Sequence, residues 1–214
     1  MVKGPYDQLS QGLKQLELPD CRNKIEQMLE YISLLAHWSR AYNLTGIKTF
    51  SEMIDAHVLD SLTLTPHLAG KRFLDVGSGA GLPGMPLAIM LPDMHFTLLD
   101  SNGKKTRFLF QVRSKLGLRN VEEVNQRVEK YMPEKHYDMI LTRAFSKLPK
   151  MLESCKHLAK TKTIFLAMKG KQIQSELDSL PEGYEVLSIK KISLPGVSRD
   201  RHLIKIATQK GQEN

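Results

Sequence analysis

Little in this chain of 214 residues can be crosslinked, and no stretch of it can cross a membrane as a helix. There are two cysteines, Cys21 and Cys155, too few for the disulfide framework of a small secreted fold. Met1-Val-Lys-Gly-Pro-Tyr-Asp leads into no apolar targeting segment. The longest uncharged run, Val76 to Pro92, has 17 residues, but four glycines and three prolines disqualify it as a spanning helix. A reduced, cytoplasmic protein is expected. Several catalytic motifs are also missing. Neither Gly103-Lys104 nor Gly170-Lys171 has the upstream glycine of a phosphate-binding P-loop, and H-E-x-x-H, C-x-x-C and G-x-S-x-G do not occur. Kinase, zinc-hydrolase and serine-esterase readings therefore lose their support. No residue cluster has metal-ligand spacing, so no metal is expected.

With 41% hydrophobic and 25% charged side chains, the chain has the composition of one soluble globular domain. Its charge is unevenly placed. Residues 1–70 carry 6 Lys+Arg against 8 Asp+Glu and residues 71–214 carry 25 against 15, so the net +8 is the sum of −2 and +10. Such an excess in the second part suits a polyphosphate partner through counterion release, although basic proteins also arise without one.

Hydrophobic periodicity divides the chain at about the same place. Residues 1–65 read as a helical extension: Pro19-Asp20 supplies a stop and an N-cap, and Ile25, Met28, Leu29, Ile32, Leu35 and Ala36 recur on one helix face. Thr49 with Glu52 reads as a capping box for a further helix carrying Ile54, Val58 and Leu62. From residue 66 to 214, short apolar runs alternate with amphipathic segments, the pattern of βα units on a mostly parallel sheet. Strands are expected at Arg72 to Val76, His95 to Asp100, Val121 to Asn125, Tyr137 to Thr142 and Thr163 to Met168. Helices are expected near Pro83 to Met90, Lys104 to Leu116, Leu148 to Leu158 and Gln172 to Leu180. Two more strands, Glu185 to Ser193 and His202 to Ala207, should pair as an antiparallel hairpin around Pro195-Gly196.

The strongest local feature is Phe73-Leu-Asp75-Val-Gly77-Ser-Gly79-Ala-Gly81-Leu82-Pro83-Gly84, a strand that runs into a glycine-rich turn and a helix. At the carboxyl end of a strand, such a turn lets backbone approach a nucleotide-like ligand. Gly79-Ala-Gly81-Leu-Pro-Gly84 satisfies G-x-G-x-x-G, and Asp100 follows at about the ~20-residue distance of a ribose-binding acid. Asp75, however, would repel a pyrophosphate at the helix N-terminus and would suit a cationic, phosphate-free cofactor. S-adenosylmethionine has that character. The less favoured alternative for Asp75 is a cap or a buried hydrogen-bonding acid near the loop. His57 and Asp60, one turn apart, read either as an acid/base pair or, more commonly, as a helix-surface contact.

Trp38-Ser-Arg-Ala-Tyr42-Asn43-Leu-Thr45-Gly, His57-Val-Leu-Asp60-Ser61-Leu, the glycine loop, Leu98-Leu-Asp100-Ser101, Arg143-Ala144-Phe145, Met168-Lys169-Gly170 and Arg201-His202-Leu occur in that order between about Leu34 and Ile206. Together they make the chain resemble the ribosomal small-subunit methyltransferase G family, also called glucose-inhibited division protein B. The resemblance implies a class I methyltransferase fold, a Rossmann-like seven-stranded sheet. It also implies S-adenosylmethionine-dependent methylation of N7 of a guanine in 16S ribosomal RNA. Family contacts to the cofactor carry over to Gly77, Leu82, Val128, Glu129 and Arg143, with Asp75, Gly79 and Asp100 added from the reading of the loop. Arg143 and Phe145 are the expected catalytic-site residues. N7 of guanine has a free lone pair, so positioning suffices and no catalytic triad is expected.

The expected partner is 16S rRNA, in the small subunit or an assembly intermediate, and a monomer is expected. Six bases and no acid lie between Gly103 and Arg119, and Lys104, Arg107 and Lys115 fall within about 80° of one another at ~100° per residue. Those three are candidate phosphate contacts, with Lys169, Arg199, Arg201 and His202 further along. Three other readings stay open: an NAD-dependent oxidoreductase using the glycine loop, a catalytically silent rRNA-binding protein, and a methyltransferase for a small molecule.

Overall fold

The structure, a computed structural model, describes residues 4–160, 163–170, 173–194 and 197–209. The N-terminal part is helical: α1 (Pro5–Gln15), α2 (Arg22–Tyr42), α3 (Phe50–Met53) and α4 (Asp60–Leu62), the last two joined by a π-helical turn, Ile54–Leu59. The sheet unit then runs β1 (Arg72–Val76), α5 (Gly84–Met90), β2 (His95–Asp100), α6 (Gly103–Leu116), β3 (Val121–Asn125), β4 (Met139–Arg143), α7 (Leu148–Cys155), β5 (Ile164–Lys169), α8 (Gln174–Leu177), β6 (Tyr184–Leu194) and β7 (Val197–Thr208). The strand order is β3-β2-β1-β4-β5-β7-β6. The first five strands are parallel, and β7 runs antiparallel to both β5 and β6.

The first three strands fall on their expected residues, while β4 starts two residues later than expected because Tyr137 packs into the core ahead of it. The last helix is much shorter than expected, Gln174–Leu177. The long β6–β7 ladder takes the chain up again at Tyr184. The proposed hairpin tip, Pro195-Gly196, lies outside the described residues. Asp20 is not the cap of α2: Cys21 occupies that position, and Asp20 turns back to α1, accepting from Ser10 Oγ at 2.8 Å and pairing with Lys14 at 3.2 Å. Thr49 caps α3 as expected, with Glu52 N donating to Thr49 Oγ1 at 3.2 Å, but Glu52 Oε2 accepts from the Thr49 hydroxyl at 2.7 Å and not from the Thr49 amide, so only half of the capping box forms.

Strand alternation sorts the core into two layers. Phe73, Phe96, Leu98, Met139, Leu141, Leu166, Met168 and Leu203 face the N-terminal helices, α5 and α6. Leu74, Val76, Leu99, Ile140, Phe165, Ala167, Ile204 and Ile206 face α7. The periodic face of α2 lies in the first layer, with Ile25, Met28, Ile32 and Leu35 fully buried. Trp38 packs on Phe108 of α6 at 5.7 Å between ring centroids. Tyr31, fully buried, donates from its hydroxyl to the Ala80 carbonyl at 2.8 Å, so a helix of the N-terminal part directly supports the glycine loop.

Tyr31→Phe keeps the ring and strands that carbonyl, a change that should cost about 1–2 kcal/mol. Urea unfolding checks it; an unchanged midpoint would remove the tie between α2 and the loop.

Candidate active site

At the carboxyl ends of β1, β2 and β4 lies a cleft of about 240 Å³. Gly77, Asp100, Lys105, Val128, Glu129 and Phe145 are among the residues that line it. Five of the residues singled out in the sequence thus come together: Gly77, Asp100, Val128, Glu129 and Phe145. Gly77 has φ +68°, and a Cβ built on it would fall 2.2 Å from Phe145 Cδ2, so the ring rests on bare backbone. Ala144, just before, has φ +54°, a left-handed conformation that costs a non-glycine residue energy and turns Phe145 over the loop.

The loop's own amide groups are almost all used internally. Gly77 N and Ser78 N donate to the Leu99 carbonyl at 2.8 and 3.1 Å, Gly81 N and Leu82 N to the Ser78 carbonyl at 2.8 and 2.9 Å. Gly79 N donates to Asp100 Oδ2 at 2.9 Å, and Asn102 N to Asp100 Oδ1 at 2.8 Å. Gly84 N, at the start of α5, donates to Asp75 Oδ2 at 2.8 Å. A dinucleotide site needs loop and helix-terminal N–H groups aimed at a pyrophosphate, and here two carboxylates have taken them. Asp100 is further neutralised by Lys105 Nζ at 3.7 Å. What faces the cleft is Asp100 and Glu129 together with Lys105 and Arg127, the Phe145 ring and close-packed backbone whose amides are turned to carboxylates and carbonyls, which fits a phosphate-free nucleoside such as S-adenosylmethionine.

Asp75 itself is fully buried and off the cleft lining, acting as the cap of α5. Burial pushes its carboxyl up to about 7, against the opposing pull of the Gly84 N–H and the Arg143 charge. Gly79 and Leu82 also lie behind the lining, Gly79 through its bond to Asp100.

Arg143 points away from the cleft. Being in register with Met139 and Leu141, it emerges on the face of the N-terminal helices. There its Nη1 lies 3.2 Å from Asp60 Oδ2, and its Nη2 donates to the Ala56 carbonyl at 2.6 Å and lies 3.3 Å from His57 Nδ1. Asp60, fully buried, also meets Arg201 Nε at 3.3 Å. His57 is buried too, its Nε2 2.7 Å from Thr45 Oγ1. The helix-surface reading of His57 and Asp60 is thus corrected: both are interior. The π-helical turn that carries His57 and leads into Asp60, the first residue of α4, gave no signal in the sequence, because a widened turn preserves the apolar spacing on either side.

Lys169 goes the other way. In register with Phe165 and Ala167, it leaves on the α7 face, where its Nζ pairs with Glu176 Oε2 at 2.8 Å and donates to the Ser146 carbonyl. Glu176 Oε2 in turn accepts from Leu148 N at 2.6 Å. The ion pair thus clamps both ends of the segment after Phe145. His202 Nδ1 lies 3.1 Å from the Gly170 carbonyl. Lys104, Arg107 and Lys115 are exposed on α6, and Lys104 Nζ sits 5.8 Å from the centre of the exposed Tyr42 ring. The side chain of Arg199 lies outside the described residues. Among the described residues no helix is long and apolar enough to cross a membrane, and no group of three or more His, Cys, Asp or Glu is placed to hold a metal.

Two consequences can be measured. Asp60→Asn leaves two half-buried guanidinium groups without their carboxylate and should cost about 3 kcal/mol, read as a lowered urea midpoint. Asp75 binds its proton more tightly in the folded chain than in the unfolded one, so it makes stability fall as pH rises from about 4 to 7. In Asp75→Asn that component of the slope should vanish; an unaltered profile of urea midpoint against pH would contradict the burial assigned to the group.

A family profile described as rRNA small subunit methyltransferase G matches residues 24–204. The chain is 46% identical over 206 residues to the "Ribosomal RNA small subunit methyltransferase G" of Nitrosococcus oceani, covering 96% of each chain. It is 49% identical over 190 residues to the protein of that name from Serratia proteamaculans, covering 88% of this chain and 91% of the relative. Among solved structures, a SAM dependent methyltransferase from Aquifex aeolicus superposes with a TM-score of 0.58 at 18% identity, covering 73% of this chain and 93% of the other. A glycopeptide N-methyltransferase complexed with S-adenosyl-L-homocysteine gives a TM-score of 0.58 at 9% identity over 71% of this chain and 87% of its own. The structural likenesses speak for the fold, and the sequence likenesses, which run through the motifs that build the cleft, go further: the chain belongs to the rRNA small subunit methyltransferase G family.

Proposed function

We propose that the protein is a cytoplasmic, monomeric enzyme that transfers a methyl group from S-adenosylmethionine to N7 of a guanine in 16S ribosomal RNA. The observation that carries the choice of cofactor is the occupation of the loop amides by Asp100 and Asp75, which leaves no cradle for a pyrophosphate. That argues against the NAD-dependent alternative. Gly77, Asp100, Val128 and Glu129 are the residues we assign to the cofactor, with Phe145 bounding the cleft where a base would enter. When bound, S-adenosylmethionine supplies an electrophilic methyl group on a positively charged sulfur. The N7 lone pair needs no base, so the protein's task is to hold the guanine in line and keep water out. An unpaired or splayed nucleotide can reach such a cleft, and an aromatic edge such as Phe145 offers it a stacking face.

Arg143 fits a positioning role better than a catalytic one, since it pins the end of β4 to the N-terminal helices. On this reading residues 1–65 and 66–214 work as one unit, held by that pin and by the Tyr31–Ala80 bond. RNA contact is assigned first to Lys104, Arg107 and Lys115, where Tyr42 adds an exposed ring beside Lys104. Lys169 and Arg201, both ion-paired, serve that role less well.

The test is transfer of labelled methyl from S-adenosylmethionine to small ribosomal subunits and to deproteinised rRNA, followed by borohydride and aniline cleavage. One new cleavage site is expected, and the better acceptor identifies the assembly stage. Cofactor binding without transfer to either acceptor would defeat the rRNA reading, and loss of cofactor binding would return the NAD alternative.

A further inference from the structure

A second cleft, of about 330 Å³, opens on the β5–β7–β6 edge of the sheet beneath the segment that leads into β1. Its floor is apolar, with Leu166 and Leu203, and its polar wall consists of Ser188, Lys190, Lys205 and His67. Among the described residues no carboxylate lines it. Cross-strand pairing explains the arrangement. Lys205 lies opposite both Leu166 and Ser188, and Lys190 opposite Leu203, so all five side chains leave the sheet on one face. Lys190 is exposed and Lys205 half-buried, and neither has an ion-pair partner among the described residues. His67 is half-buried beside them, and after burial itself it is the charges of Lys190 and Lys205 that hold its imidazole below the ordinary range. Two unpaired ammonium groups, an imidazole and a hydroxyl around one apolar floor form a site whose missing member is an anion with an apolar flank.

We propose that this cleft is a second RNA anchor, taking a backbone phosphodiester of the bound rRNA on Lys190 and Lys205, with the adjoining sugar against Leu166 and Leu203. The proposal rests on the rRNA reading above and adds to it a contact on a part of the sheet remote from the cofactor cleft. A phosphate here would neutralise the field that disfavours the charged imidazole, so His67 reports its arrival.

The experiment measures binding of the full chain to small subunits and to rRNA as salt is raised, for the wild type, for Lys190→Gln/Lys205→Gln, and for Lys135→Gln/Lys150→Gln, which removes the same charge elsewhere. Removing the contacts to that one phosphate should reduce the slope of log affinity against log salt by about 0.7–0.9, and weaken binding at least about fivefold at low salt. The control pair should do neither. Cofactor affinity should be unchanged in both variants, which shows that the fold is retained. In the wild type, an rRNA fragment should raise the pKa of His67 followed by NMR, whereas inorganic phosphate should do so only at far higher concentration. An unchanged slope in the cleft variant, an equal loss in the control, or an equal response of His67 to inorganic phosphate would overturn the proposal. The binding measurement does not depend on methyl transfer. A wild type that methylates rRNA but loses nothing on removal of the two lysines defeats the cleft alone, whereas a wild type that binds no rRNA defeats the functional reading together with it.

Discussion

The carboxylate of Asp60, with no exposed surface, stands between two arginines that come from separate strands of the sheet, Arg143 at the end of β4 and Arg201 in β7. Taking such charges out of water costs several kcal/mol per ion, so a cluster of this kind is weak as a source of net stability. Its effect is positional. Arg143 can satisfy its guanidinium only where Ala56, His57 and Asp60 are presented together, and the π-helical turn between α3 and α4 brings Ala56 and His57 beside Asp60, the first residue of α4. The end of β4 is thereby fixed, and with it the left-handed Ala144 and the ring of Phe145 that bounds the cleft. The N-terminal helices are therefore part of the site although none of their residues lines it.

The glycine loop follows the same economy. A loop rich in glycine can present many amide groups to a ligand, yet here they are spent on Leu99, Ser78, Asp100 and Asp75. The result is a rigid surface that is close to the ligand without offering it phosphate-binding donors. Gly84 shows how tight the arrangement is: a Cβ there would meet Leu98 Cδ2 at 2.2 Å and Asp75 Oδ2 at 2.8 Å. Asp75, which the sequence marks as an acid near a cofactor, thus acts one step removed, by fixing the start of α5. The same residue fixes the fold of the loop, whose donors are consumed within the protein.

Much of this was legible in the residues. β1, β2 and β3 follow from short apolar runs between turns, and the buried face of α2 from its helical spacing. The glycine loop and Asp100 located the cleft, since both lie at the carboxyl ends of adjacent parallel strands. The directions of Arg143 and Lys169 were not legible. Each sits at the end of a strand beside the same segment, but Arg143 is in phase with Leu141 and Lys169 with Ala167, and these lie in opposite layers. Local periodicity does not reveal which layer is which, because both are apolar; that depends on packing between elements far apart in the chain. The shortness of α8 and the interior placement of His57 have the same origin, tertiary contacts overriding local pattern.

The excess of +10 in residues 71–214 already subtracts the acids of that part, and two of its cations, Arg143 and Arg201, are turned onto an acid outside it. Arg143 and Arg201 are turned inward onto Asp60, Lys169 onto Glu176, Lys105 onto Asp100, and Arg113 onto Glu123 at 2.8 Å. Those cations set the shape of the site and the edge of the sheet. At physiological ionic strength the attraction of exposed charges fades beyond about 8 Å, so total charge governs encounter while local, unpaired charges govern the bound geometry. Lysines with no ion-pair partner among the described residues include Lys104 on α6 beside Tyr42 and Lys190 and Lys205 on the β6–β7 edge beside His67. A single-stranded loop at one cleft would not need both. A folded ribosomal RNA, presenting one nucleotide to the cofactor and its backbone to a surface on either side, would.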